Sequence, residues 1–237
     1  MNISLIISAV LPIIIFLSFI YRKDSEKEPK KLLAKCFLFG ALSIIPVFLI
    51  ELAIDSYSNS INSPLLHSLY RAFIVAALVE EGTKFFFLKK VTWKNKEFNQ
   101  SYDGIVYAVF VSLGFAMVEN IMYVSEHGFV VSIFRGILSV PGHGLFGIMM
   151  GYFYALARFS NDYKRQIYLF LSFFVPFLFH GTFNFLLMYN AHVESELMMS
   201  LIFVAFIAFD IFMWKMGIKS IKRHYARDIR KKEIINY

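Results

Sequence analysis

Residues 65–88 read LLHSLYRAFIVAALVEEGTKFFFL. As a helix rising 1.5 Å per residue, this stretch reaches roughly 36 Å, enough to cross about 30 Å of hydrocarbon. Yet Arg71, Glu80, Glu81 and Lys84 interrupt the apolar run. Ionisable side chains inside a membrane span are costly, and their presence points to function. The fold therefore turns on whether this segment is one span among several.

The flanking sequence answers that it is. Apolar segments recur at roughly 3–21, 32–54, 65–88, 103–125, 130–157, 167–190 and 197–217, each near the length needed to cross. Hydrophobic residues make up 58% of the chain, above the 45–50% of soluble domains, and the excess lies in these blocks. Backbone groups in lipid must pair within their own segment, so each block is predicted to be a helix. No linker, low-complexity tract or solenoid-length repeat divides the chain. The expectation is an all-α polytopic membrane bundle of seven transmembrane helices, one domain over 1–237, resident in the cell membrane.

Charge gives the orientation. The connection 22–35 holds six Lys and Arg, 89–101 holds four, 158–166 holds three and the stretch from Lys215 holds eight. The alternate connections 55–64, 126–129 and 191–196 hold none. The positive-inside rule then predicts an N-terminus outside and a C-terminus in the cytoplasm. The net charge of +7 is accounted for by this pattern, with the lipid bilayer as its partner and no nucleic acid implied. No Lys or Arg precedes the first span and six follow it, the reverse of a signal peptide, so it reads as a retained span. The single cysteine, Cys36, excludes an internal disulfide and reads as a small apolar residue at a helix end.

Straight helices place the in-span polar residues by depth. Measured from the outer surface, Glu80 and Glu81 lie about 22–24 Å deep, His143 about 20 Å and His180 about 15 Å. Glu119 and Asn184 lie near 9 Å, and Arg71 and Arg135 at about 8–9 Å. Two groups are expected: a deeper one of two carboxylates and two imidazoles on three helices, and a shallower one of Glu119, Asn120 and Asn184 near two arginines. Glu51 and Asp210 read as structural.

Local sequence refines this. Glu80 and Lys84 are i,i+4 in the favourable order for a helical ion pair, which leaves Glu81 the freer carboxylate. His143 lies in Pro141-Gly142-His143-Gly144, and Gly147 and Gly151 continue its face as a packing groove. His180 and Asn184 share a face, where an imidazole and an amide can donate to a developing oxyanion. Glu119 is open to two readings: a catalytic or orienting carboxylate, or an ion-pair partner for Arg71 or Arg135.

At these residues the chain resembles the PrsW family of membrane proteases, part of a wider group with the CAAX prenyl proteases and the APH-1 subunit of gamma-secretase. The matching elements are Glu80-Glu81-Gly82-Thr83-Lys84, Phe115-Ala116-Met117-Val118-Glu119-Asn120, His143, and His180-Gly181-Thr182-Phe183-Asn184, in order on four successive spans within about 66–190. The resemblance implies an endopeptidase acting on membrane-anchored proteins, an anti-sigma factor among them. The spacing of Lys84 after the glutamate pair, and Glu119 where the CAAX-type branch carries His, favour the PrsW-like side.

Peptide hydrolysis needs a base for water, a donor to the oxyanion and an acid for the leaving amine. No Ser-His-Asp, Cys-His or His-Glu-x-x-His arrangement is visible. The expectation is a water activated by Glu81 or Glu80, with His143 and His180 holding it or polarising the carbonyl, and with Asn184, Glu119, Asn120 and Lys84 in support. The preferred reading uses no cofactor. The alternative holds Zn²⁺ through Glu81, His143 and His180. Two rival classes use the same side chains: a non-catalytic scaffold, and a proton- or cation-coupled transporter.

Overall fold

The computed structural model describes residues 3–235. Its elements are α1 (Ile3–Lys23), α2 (Lys30–Leu42), α3 (Ile44–Asp55), α4 (Pro64–Leu69), α5 (Val79–Thr92), α6 (Ser101–Phe134), α7 (Val140–Arg158), α8 (Asp162–Asn190) and α9 (Glu196–Ile235). Two π-helical stretches, Tyr70–Leu78 and Arg135–Ser139, lead into α5 and α7. No strand occurs among the described residues.

The breaks follow local chemistry. Ser43 keeps helical angles and its hydroxyl donates to the Gly40 carbonyl at 2.6 Å, so α2 and α3 run on as one rod. Ser63 caps α4, accepting from the Leu66 N–H, and Pro64 opens the helix where a missing N–H costs nothing. Within α6, Gly128 takes φ 80° and ψ −164°, a conformation glycine tolerates, and the helical path turns there. That turn falls in the expected connection 126–129.

Among the described residues, five helices are long and apolar enough to cross a membrane: Ser4–Lys23, Lys30–Ser60, Ser101–Arg158, Asp162–Asn190 and Glu196–Ile234. The third of these contains the turn at Gly128. Pro64–Thr92, with its four central charges, is not among the five. The apolar faces of α1, α3 and α9 are exposed, through Ile14, Ile15, Leu49, Leu52, Leu201 and Val204. The chain is thus an all-helical, multi-pass membrane protein.

The first half of α6 is the axis of the bundle. Residues from Ser101 to Val109 are buried on every side, and α1, α2, α5 and α7 pack around it. The glycine face expected on α7 meets this helix: a Cβ at Gly151 would collide with the Gly104 carbonyl, and one at Gly147 would press on Ser112 and Val109. Small residues let backbones approach where lipid supplies no competing driving force.

At the Lys/Arg-rich end, α9 folds back on the start of α6. The Asp228 carboxylate accepts from the Ser101 and Tyr102 N–H groups, both at 2.8 Å, and so caps α6. Asp103 accepts from the Asn99 and Gln100 N–H groups at 3.0 and 2.7 Å, and Glu28 accepts from the Tyr107 hydroxyl. His224, assigned no role from sequence, is buried here with Nε2 2.9 Å from the Tyr152 carbonyl.

Candidate active site

Both π-helical stretches end where a polar cluster begins. Glu80 and Glu81 stand in the first turn of α5, directly after Tyr70–Leu78, and His143 stands in the first turn of α7, after Arg135–Ser139. A π turn adds a residue to the helical repeat and re-aims the side chains beyond it, and such turns concentrate at functional sites. The third wall is α8, which carries His180 and Asn184.

The cluster is built on Lys84, which is fully buried. Its ammonium donates to Glu80 Oε2 and Glu81 Oε1, both at 2.9 Å, and to His143 Nδ1 at 3.2 Å. The three N–H donors of the ammonium are thereby used. It also lies 4.1 Å from the centre of the Phe115 ring. Because His143 Nδ1 accepts from an ammonium, its Nε2 carries the hydrogen and donates to Glu119 Oε2 at 3.0 Å. His180 donates from Nδ1 to Glu81 Oε1 at 3.0 Å, and its Nε2 accepts from the Asn184 amide at 2.9 Å. The two imidazole rings lie 5.4 Å apart, and His180 stacks on Phe146 at 4.8 Å.

The network continues outward. Arg135 donates to Glu119 Oε2 at 2.6 Å and to Asn120 Oδ1 at 2.8 Å, and Asn120 in turn donates to the Ala9 carbonyl at 2.8 Å. Arg71 pairs instead with Asp55, at 2.9 and 3.1 Å. A cavity of about 610 Å³ runs along the cluster, walled by Glu80, Glu119, Arg135, His143, His180 and Asn184. Asp55, Asn59 and Glu126 line it as well.

Several expectations change. The two depth groups are one connected network, because Glu119 touches His143, which Lys84 ties to Glu80 and Glu81. Glu81 is not the freer carboxylate: Lys84 holds both acids, and Glu81 is fully buried while Glu80 faces the cavity. Glu119 pairs with Arg135, the second of its readings, and the same oxygen also receives His143. Of the Zn²⁺ trio Glu81, His143 and His180, His143 has both ring nitrogens on other partners, Lys84 and Glu119. The donors that do converge, within 4.8 Å of one another, belong to Glu80, Glu81 and His180. Glu51, read as structural, lines the cavity. Arg135 was visible as an in-span cation, and its bonds to both Glu119 and Asn120 were not.

Acids, imidazoles and an ammonium gathered around a cavity inside a membrane-embedded bundle are the equipment of an intramembrane hydrolase. Sequence comparison agrees. The family described as "PrsW family intramembrane metalloprotease" matches residues 28–210. Protease PrsW of Oceanobacillus iheyensis is 40% identical over 185 residues, covering 78% of this chain and 83% of that one. Protease PrsW of Clostridioides difficile is 34% identical over 230 residues, covering 94% and 92%, and that of Bacillus subtilis is 31% identical over 232 residues, covering 98% and 99%. No solved structure matches the chain. The chain belongs to the PrsW family. It is a membrane-embedded peptidase, which sets the scaffold and transporter readings aside, and its substrate class is membrane-embedded protein.

Proposed function

We propose that this protease cuts membrane-anchored proteins, an anti-sigma factor among them, by a water that Glu80 activates at the wall of the cavity. The observation that carries this reading is the placement of Glu80: one carboxylate oxygen is held by Lys84, and the residue borders the cavity beside His143, His180 and Asn184. Glu80 takes a proton from water as the hydroxide adds to the scissile carbonyl carbon. The Asn184 amide donates to the oxyanion. Glu80 then returns the proton to the leaving amine nitrogen as the C–N bond breaks. Both imidazole N–H groups are committed to carboxylates, so His143 and His180 act by holding Glu119 and Glu81 in place, and Lys84 bridges the paired acids.

The family description adds a metal to be weighed. Glu80, Glu81 and His180 fit a divalent cation by donor type and proximity, and Glu81 Oε2 is buried with no hydrogen-bond partner. A metal held there would polarise the carbonyl and acidify bound water. The metal-free scheme is our first reading, because Lys84 already supplies a positive charge between the two carboxylates.

We place seven spans in the membrane, with the N-terminus outside and the C-terminus in the cytoplasm, on the segregation of Lys and Arg. Asp55, Asn59 and Glu126, which line the cavity, then lie toward the outer side, and the substrate enters from there. Reporter fusions at the C-terminus test the orientation, and an external C-terminus would reverse it.

The chemistry is tested by cleavage of a membrane-anchored substrate in detergent. Glu80→Gln is expected to lose about 10³–10⁴-fold in rate. Wild type should keep its rate in chelator. Loss of activity in chelator, restored by Zn²⁺, would replace the first reading with the metal-bound one, and wild-type cleavage by Glu80→Gln would end both.

A further inference from the structure

We propose that Arg135 is a positioning residue for this reaction, acting through Glu119 on His143, and the proposal rests on the site reading above. Arg135 opens the π-helical stretch Arg135–Ser139 and reaches across to the first half of α6. Its guanidinium donates to Glu119 Oε2 at 2.6 Å and to Asn120 Oδ1 at 2.8 Å, while its carbon lies 4.1 Å from the centre of the Tyr123 ring. Three different groups therefore fix its plane, and only a rigid fork of donors serves the first two together.

The consequence lies one bond further in. Glu119 Oε2 receives both Arg135 and His143 Nε2. An oxygen pinned by a guanidinium presents its remaining lone pair in a set direction, and that direction sets the His143 ring. The other ring nitrogen then meets Lys84, which holds Glu80 and Glu81. The chain Arg135, Glu119, His143, Lys84, Glu80 has no gap wider than 3.2 Å. Asn120 anchors the outer end to the Ala9 carbonyl of α1. Arg135 and Glu119 are mostly buried, with 15% and 18% of their side chains exposed, and both border the cavity. The guanidinium position is thus reachable by a small solute while shielded from lipid.

The test sets Arg135→Ala, Glu119→Gln and the double variant beside wild type and Glu80→Gln in the same detergent cleavage assay. Arg135→Ala should lower kcat about 10²-fold, the cost of a small misplacement of reacting groups, and change KM by less than about threefold, since uniform binding is untouched. The double variant should be no slower than the slower single one, as expected when two residues act as one unit. Added guanidinium should restore activity to Arg135→Ala, and tetramethylammonium at equal ionic strength should not. Arg135→Lys should recover only part of the rate. Thermal melting of each variant reports folding, and rescue by guanidinium of an already folded protein is a response that a stability role would not give. Additive losses, a change confined to KM, or absence of guanidinium rescue in folded Arg135→Ala would overturn the proposal. If Glu80→Gln cleaves like wild type, the site reading falls; if it is inactive while Arg135→Ala is unimpaired, only the positioning role falls.

Discussion

Buried carboxylates gather at two places in this protein, and they are treated in opposite ways. Around the cavity, Glu80, Glu81 and Glu119 each meet a cation, Lys84 or Arg135, within 2.9 Å. At the Lys/Arg-rich end, Asp24, Glu28, Asp103 and Asp228 are just as buried, yet none of the four forms an ion pair among the described residues. They are held by backbone N–H groups and a tyrosine hydroxyl. Burial outweighs these hydrogen bonds: it raises the Asp24 and Asp228 carboxyls above their usual range and pushes Glu28 up to about 7. The acids at the cavity are paired with fixed cations, the arrangement that the proposed chemistry uses. Acids spent on capping helix ends and joining α9 to α6 are ready only for structure. Burial of an acid therefore says little by itself, and its partner decides its use.

The largest effects should break the first region's function and leave the second's stability alone. His180→Ala removes the group that holds Glu81 from α8, and its cleavage rate should fall beyond that of Asn184→Ala. The latter would lose the proposed oxyanion donor, a cost of about 10²–10³-fold. Steady-state rates of the two variants side by side decide it, and a slower Asn184→Ala would transfer the leading role on α8 to the amide.

The reverse experiment strikes the second region. Asp228→Ala frees two N–H groups at the start of α6, and loss of such a cap costs roughly 0.5–2 kcal/mol. Its melting temperature in detergent should drop while kcat measured well below the melt stays within about twofold of wild type. A large loss of kcat without a change in melting would show that the acids at the Lys/Arg-rich end reach the site after all.

The smallest effect is a pH slope. Glu28 binds its proton more tightly folded than unfolded, with its pKa moving from 4.5 to about 7. Its contribution to stability is therefore greatest at low pH and declines as pH rises from about 4.5 to 7, by on the order of 1–3 kcal/mol. His224, buried and held down to about 4, works in the opposite sense: its contribution is present above 6.5 and is lost as pH falls toward 4. Comparing melting temperatures of wild type and Glu28→Gln across pH 5–8 isolates the first slope. Parallel curves would show that Glu28 does not titrate in this interval.

Much of this molecule is written in the order of its residues. The apolar blocks, the charges that interrupt 65–88, and the four motif elements from Glu80 to Asn184 name the membrane setting and the candidate site residues without any coordinates. Hydrophobicity marks depth because the bilayer is a layered solvent. It does not mark azimuth, because lipid is as apolar as a helix interface and leaves no amphipathic stripe to read. So the sequence showed neither that the first half of α6 is the axis nor which side chains on neighbouring spans touch. Only the tertiary structure decided that Lys84 clamps both glutamates, that Glu80 rather than Glu81 borders the cavity, and that Arg135 reaches Glu119. The π-helical stretches at Tyr70–Leu78 and Arg135–Ser139 are the physical reason: each breaks the 3.6-residue count on which facing is judged, and each lies just before the residues whose facing matters most.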